Sequence, residues 1–153
     1  MPPVGRPMGT FAETEIGETF QTGGRTITEA DVMNFAGVSG DFNHLHTDAE
    51  AMAETPFGQR IVHGALVFSI MTGLLWQSRP EEAKQDVVAF YGVDKLRFTA
   101  PTFIDDTVHV ELEVIEKEPR DHPVANGVLR YQAEVKKADG EVVLAAQTLS
   151  LMK

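Results

Sequence analysis

Residues 64–76, GALVFSIMTGLLW, carry no charge and form the most apolar run of the chain. They are too few to cross a bilayer, which takes roughly twenty apolar residues in a helix. A helix that is apolar on every side belongs inside a fold, wrapped by other structure. The rest of the chain must therefore supply a cover for this helix, and the pattern after residue 87 is suited to do so. Val108, Val110, Leu112 and Val114 alternate with His109, Glu111 and Glu113, and Leu129, Tyr131, Ala133 and Val135 alternate with Arg130, Gln132, Glu134 and Lys136. That period of two marks strands with one face buried. Asp139 and Gly140 predict a tight hairpin into a last strand, EVVLAAQTLSLM. Helices come first and an antiparallel meander second, so the class is α+β, with one curled sheet closing around the apolar helix.

The first part of the chain reads as a lead-in. Residues 1–14, rich in Pro, Gly and Thr, predict a loose arm, and residues 15–153 one domain. GETFQTGGRTIT reads as a short strand broken at its Gly-Gly pair. TEADVMNFAGVSG reads as a helix capped by Thr28, with Val32, Phe35, Ala36 and Val38 on its apolar face and Gly40 as its stop. Thr47 and Glu50 have the spacing of a capping box, which predicts a second short helix from near Asp48 to before Pro56.

Between these two helices lies GDFNHLHTDAE, with an aspartate, an asparagine and two histidines between Asp41 and His46. Asp41 and His46 make a natural acid–base pair: a carboxylate orients water or accepts a proton, and an imidazole does either near neutral pH. Asn43 can hydrogen-bond a side chain or a water without changing its protonation. The bland alternatives are that Asp41 and Asn43 stabilise a turn and that His46 is a satisfied buried ring. A second segment, GQRIVHGALVF, opens the apolar helix at Gly64 with no Ser, Thr, Asp or Asn ahead of it. Its first amides then lack the usual acceptor, which suits a carbonyl oxygen that gains charge during reaction; His63 could instead cap the helix with its own ring. His44 and His46 with Asp41 or His63 could ligate zinc, but they match no established zinc spacing. His109 and His122 read as strand and turn residues without a role, and the stripe from Ala65 to Trp76 as core first.

Composition narrows the partners. The formal net charge of −10 argues against nucleic acid, which needs a basic patch. With no cysteine, disulfides, thiolate metal sites and a thiol nucleophile are excluded. The N-terminus MPPVGRPMGTF has no signal-peptide core, so a cytoplasmic protein without membrane contact is expected.

SGDFNHLHTD resembles the hydratase motif of the MaoC-like, (R)-specific enoyl-CoA hydratases, Asp-x-Asn-x-x-His. FGQRIVHGAL is similar to the loop into that family's central helix, and LRFTAPTFIDDTV to its RF-x-x-P strand and turn. The resemblance covers roughly residues 15–152. It implies a hot-dog fold, an antiparallel sheet wrapped around a long central helix, in homodimers or assemblies of dimers with the site near the subunit interface. It also implies that Asp41 and His46 hold and activate one water for addition to a trans-2-enoyl-CoA, giving an (R)-3-hydroxyacyl-CoA reversibly; because thiolates are absent and the pair can activate water by itself, no metal or cofactor is expected. Asn43 would orient the pair and the Gly64 amide would stabilise the enolate-like oxygen. His63, Ala65 and Leu66, at the helix opening, would contact the substrate. One position departs from the family pattern: His44 stands where proline is common. The rivals are a hot-dog acyl-CoA thioesterase and a non-catalytic hot-dog subunit.

Overall fold

The structure, a computed structural model, describes residues 9–153. Two short strands, β1 (Thr19–Gln21) and β2 (Arg25–Thr26), precede helices α1 (Glu29–Ser39), α2 (His44–Thr47), α3 (Ala49–Ala53), α4 (Gly64–Ser78) and α5 (Glu81–Lys84). Four long strands follow: β3 (Val87–Phe98), β4 (Thr107–Pro119), β5 (Gly127–Lys137) and β6 (Val142–Met152). They form one antiparallel sheet in the order β1-β4-β5-β6-β3, with β2 also on β4. This is the α+β hot-dog arrangement, with α4 as its central helix.

The alternation in β4 and β5 becomes the buried face of the sheet. Val108, Val110, Val114, Leu129, Ala133 and Val135 are essentially inaccessible and pack with Leu66, Val67, Ile70, Met71 and Leu74 of α4. The β5–β6 turn is built as its sequence predicts: Gly140 adopts φ 91° and Asp139 Oδ1 accepts the Glu141 N–H at 2.9 Å. The Gly23-Gly24 break separates β1 from β2, which pair with β4 on either side of it.

α4 differs from expectation in one respect. Its buried residues lie on a single face, whereas Ala65, Ser69 and Trp76 are exposed. One sheet covers only one side of a helix, so within one chain the helix is half wrapped. The hydroxyls on the open side are satisfied within the helix, Ser69 Oγ donating to the Ala65 carbonyl and Thr72 Oγ1 to that of Ser69. No helix among the described residues is long and apolar enough to cross a membrane.

α1 starts and stops where its sequence says. Thr28 Oγ1 accepts the Asp31 N–H and Asp31 Oδ2 the Thr28 N–H, and Gly40 closes the helix at φ 77°. Its buried face is narrower than predicted, Val32 and Ala36 alone being buried, and Val38 is 87% exposed because the helix lies on the rim of the fold.

The loose arm expected over residues 1–14 falls partly outside the described residues. Residues 9–14 are not loose. The Phe11 N–H donates to the Lys153 carbonyl at 2.8 Å, Thr14 is 2% exposed, and the Phe11 ring covers Gly127. A Cβ on Gly127 would overlap that ring and come within 2.6 Å of the Glu118 carbonyl oxygen across the β4–β5 pair. Backbone cannot yield as a side chain can, so Gly127→Ala is expected to lower the unfolding free energy by about 1–3 kcal/mol. Urea denaturation measures this; an unchanged midpoint would show that Phe11 and the strand pair are not packed as described.

Candidate active site

The chain between α1 and α3 is a succession of caps. Gly40 ends α1, and Asp41 Oδ1 accepts the Asn43 N–H at 3.2 Å. Asn43 Oδ1 accepts the Leu45 N–H at 3.0 Å and so starts the single turn of α2, which carries His46 on its buried side. The Asn43 side chain thus shapes the loop and hydrogen-bonds neither side chain of the acid–base pair, which Asn43 meets only through its backbone N–H on Asp41. The expected Thr47–Glu50 capping box does not form. Thr47 lies inside α2 and its hydroxyl donates back to the Phe42 and Asn43 carbonyls. Asp48, one residue later, caps α3 by accepting the Ala51 N–H at 2.9 Å, which leaves Glu50 one position too early to reciprocate.

His46 is 7% exposed, and its Nδ1 lies 2.7 Å from the Ile61 carbonyl oxygen. A carbonyl only accepts, so Nδ1 donates, and in the neutral ring Nε2 carries the lone pair. Nε2 points toward Asp41 Oδ2 at 3.8 Å, too far for a direct hydrogen bond. The Asp41 side chain is half exposed, so the pair is open to solvent from one side.

The wall behind this pair is residues 61–63. The Ile61 N–H donates to the Leu45 carbonyl at 3.0 Å, and the Val62 N–H donates to the Thr102 carbonyl at 2.7 Å. His63, 2% exposed, lies 2.9 Å through Nε2 from the Asp41 carbonyl and stacks on His46 with centroids 3.6 Å apart and planes at 26°. Gly64 then opens α4 without a side-chain cap. The Leu66 and Val67 amides bond the His63 carbonyl; those of Gly64 and Ala65 have no partner among the described residues. A Cβ on Gly64 would come within 2.6–2.8 Å of three ring carbons of Phe98, so the end of β3 is pressed against the helix opening.

The structure therefore brings Asp41, His46 and Gly64 into one region. Of the three residues expected to contact substrate, Ala65 alone is exposed; His63 lies behind His46, and Leu66 turns into the core. Phe98 was not singled out, although the RF of LRFTAP contains it. Asp41, His46 and His63 each offer a ligand atom, all within 4.8 Å of one another, and His44 is not among them. An imidazole binds metal along its ring plane at about 2.0–2.1 Å. Two rings stacked 3.6 Å apart and tilted by 26° do not aim at a common point so near, and the arrangement favours proton transfer over metal ligation.

A pocket of about 190 Å³ opens at the other end of α4, lined by Thr72, Leu75, Trp76, Phe90 and Tyr131 among others. Thr72 is eight residues from Gly64, about 12 Å along the helix axis, so this pocket is separate from the polar cluster. Burial pushes the Tyr131 phenol up from its ordinary range and the neighbouring Arg79 guanidinium down.

The family model described as a MaoC like domain matches residues 11–137. The chain is 41% identical over 102 residues to protein MaoC of Klebsiella aerogenes, covering 67% of this chain but only 29% of that longer protein. It is 37% identical over 117 residues to an (R)-specific enoyl-CoA hydratase of Aeromonas caviae, covering 75% of this chain and 83% of the relative. A solved structure described as a monoamine oxidase regulatory protein, from an Archaeoglobus species, superposes with a TM-score of 0.85 at 39% identity, covering 95% of this chain and 94% of that one. Several relatives are named as hydratases or dehydratases, which places the family-level activity among the lyases. With the family model spanning most of the chain and the fold matched almost end to end, this chain belongs to the MaoC-like dehydratase family.

Proposed function

We propose that the protein hydrates trans-2-enoyl thioesters of coenzyme A to (R)-3-hydroxyacyl thioesters, and catalyses the reverse dehydration. The observation that carries this reading is the His46 ring, whose Nδ1 is committed to the Ile61 carbonyl and whose Nε2 faces Asp41 Oδ2 across 3.8 Å. A gap of that size lets one water touch both groups. As the water oxygen bonds C3 of the enoyl group, Nε2 takes its proton and the electron pair of the alkene moves to the thioester oxygen. The Gly64 amide, at the positive end of an uncapped helix, stabilises that oxygen. The proton then passes from the pair to C2, so that H and OH of one water are both used. The same residues run in reverse expel water from a 3-hydroxyacyl thioester.

The relative from Aeromonas caviae, similar over most of both chains, supports this substrate class. The chain's net charge of −10 disfavours an acidic carrier protein as the thioester's other half, and coenzyme A, itself anionic, requires a local basic spot. With crotonyl-CoA, alkene absorbance is expected to fall without release of free thiol. Thiol release at the same rate would mean a thioesterase, and no change in either a non-catalytic subunit. Asp41→Asn and His46→Gln each remove a proton-transfer partner at little cost in volume, so each is expected to cut turnover about a hundredfold or more. A variant with an intact circular dichroism spectrum and most of its turnover would take that residue out of the mechanism.

We further propose that the working form is a homodimer or an assembly of dimers. β3 is an edge strand of twelve residues with Phe90 and Tyr91 51% and 56% exposed, and beside it the open face of α4 shows Trp76 at 49%. Long apolar edges are ready to pair with another chain. Light scattering at micromolar concentration is expected to give a dimer or a multiple of it; a stable, active monomer would refute this.

A further inference from the structure

We propose that His63 is a positioning residue, which sets the separation between the acid–base pair and the Gly64 amide. The inference rests on the hydration reading. That chemistry needs a water on C3 and a donor on the thioester oxygen of one substrate, and the two come from different elements. Asp41 lies in the loop after α1 and His46 in α2, and Gly64 begins α4. His63 joins them. It is the chain neighbour of Gly64 and the N-cap residue of α4, its Nε2–H donates to the Asp41 carbonyl at 2.9 Å, and its ring stacks on His46 at 3.6 Å. Phe35 also packs on the His63 ring, edge to face, with centroids 5.0 Å apart.

A ring kept only to fill space would be apolar. This one places a donor on the backbone of the reacting aspartate and buries Nδ1 without a hydrogen-bond partner among the described residues, an unfavourable choice unless the Nε2 bond compensates for it. The ring is 2% exposed, so it acts through Asp41, His46 and Gly64 and not on the substrate.

Two variants separate the hydrogen bond from the shape. His63→Phe keeps a ring for stacking and removes the donor, whereas His63→Gln keeps a donor near the position of Nε2. For crotonyl-CoA hydration, kcat of His63→Phe is expected to fall about tenfold to a hundredfold, the effect of a small misplacement of reacting groups. KM should change less than about threefold, and His63→Gln should recover much of the loss. Full kcat in His63→Phe, or a rise in KM alone, would overturn the proposal. So would equal losses in both variants that follow the folded fraction measured by circular dichroism. If His63→Phe does not fold, His63→Gln decides: a kcat close to the parent's supports the donor role, and a hundredfold loss in a folded protein overturns it. Asp41→Asn, measured beside them, distinguishes the two levels. An active Asp41→Asn takes Asp41 out of the mechanism and a parent protein that leaves crotonyl-CoA unchanged sinks the hydration reading itself, whereas an inactive Asp41→Asn beside a fully active His63→Phe sinks only the positioning role.

Discussion

The hydrogen bond from His46 Nδ1 to the Ile61 carbonyl, 2.7 Å long, is the contact on which the site depends. It selects the tautomer of His46, turns Nε2 toward Asp41 and joins the loop after α1 to the lead-in of α4. It can do so because residues 61–63 are themselves held. The Val62 N–H bonds the Thr102 carbonyl, and Ile61 forms an isolated bridge to Phe103. Thr102 and Phe103, just after the RF-x-x-P residues and distant in sequence, thus hold the segment that carries His63. A histidine on a short loop acquires a fixed direction because that loop is bonded to a segment that is itself held.

Much of the fold was legible because burial imposes period two on strands and punctuation on helix ends. Val108 to Val114 and Leu129 to Val135 face the core as their alternation predicts, and Thr28, Gly40 and Gly140 act where they were expected to. What could not be read from local pattern depends on partners far away in the chain. The apolar run of α4 does not say which of its sides the sheet will cover, and Val38 looks like core until α1 is placed on the rim. The Thr47–Glu50 box failed because the preceding turn, α2, uses up Thr47, a competition invisible to a four-residue spacing. In the site, the pairing of Asp41 and His46 was legible from residue type and spacing, and the structure brings the two side chains to 3.8 Å. The stacking of His63 on His46 was not, since it joins residues seventeen positions apart through a fold made elsewhere.

Gly64 answers two demands at once. Its lack of a side chain admits the ring of Phe98, and it heads a helix whose first two amides have no partner among the described residues. An alanine there would disturb packing and reaction together, so loss of activity in such a variant would not isolate the amide's role. The same holds in milder form for Asn43, whose side chain caps α2 and whose loss would move His46. The geometry of the site is better tested by what it makes than by what breaks it.

The central claim is that one water, held between His46 Nε2 and Asp41 Oδ2, reaches one face of an enoyl group whose carbonyl is fixed at Gly64. The direct measurement is hydration of crotonyl-CoA coupled to an (S)-specific 3-hydroxyacyl-CoA dehydrogenase with NAD. Alkene absorbance is expected to fall while almost no NADH forms, because the (R) product is not a substrate for the coupling enzyme. NADH formed in step with alkene loss would place the water on the opposite face and contradict the account.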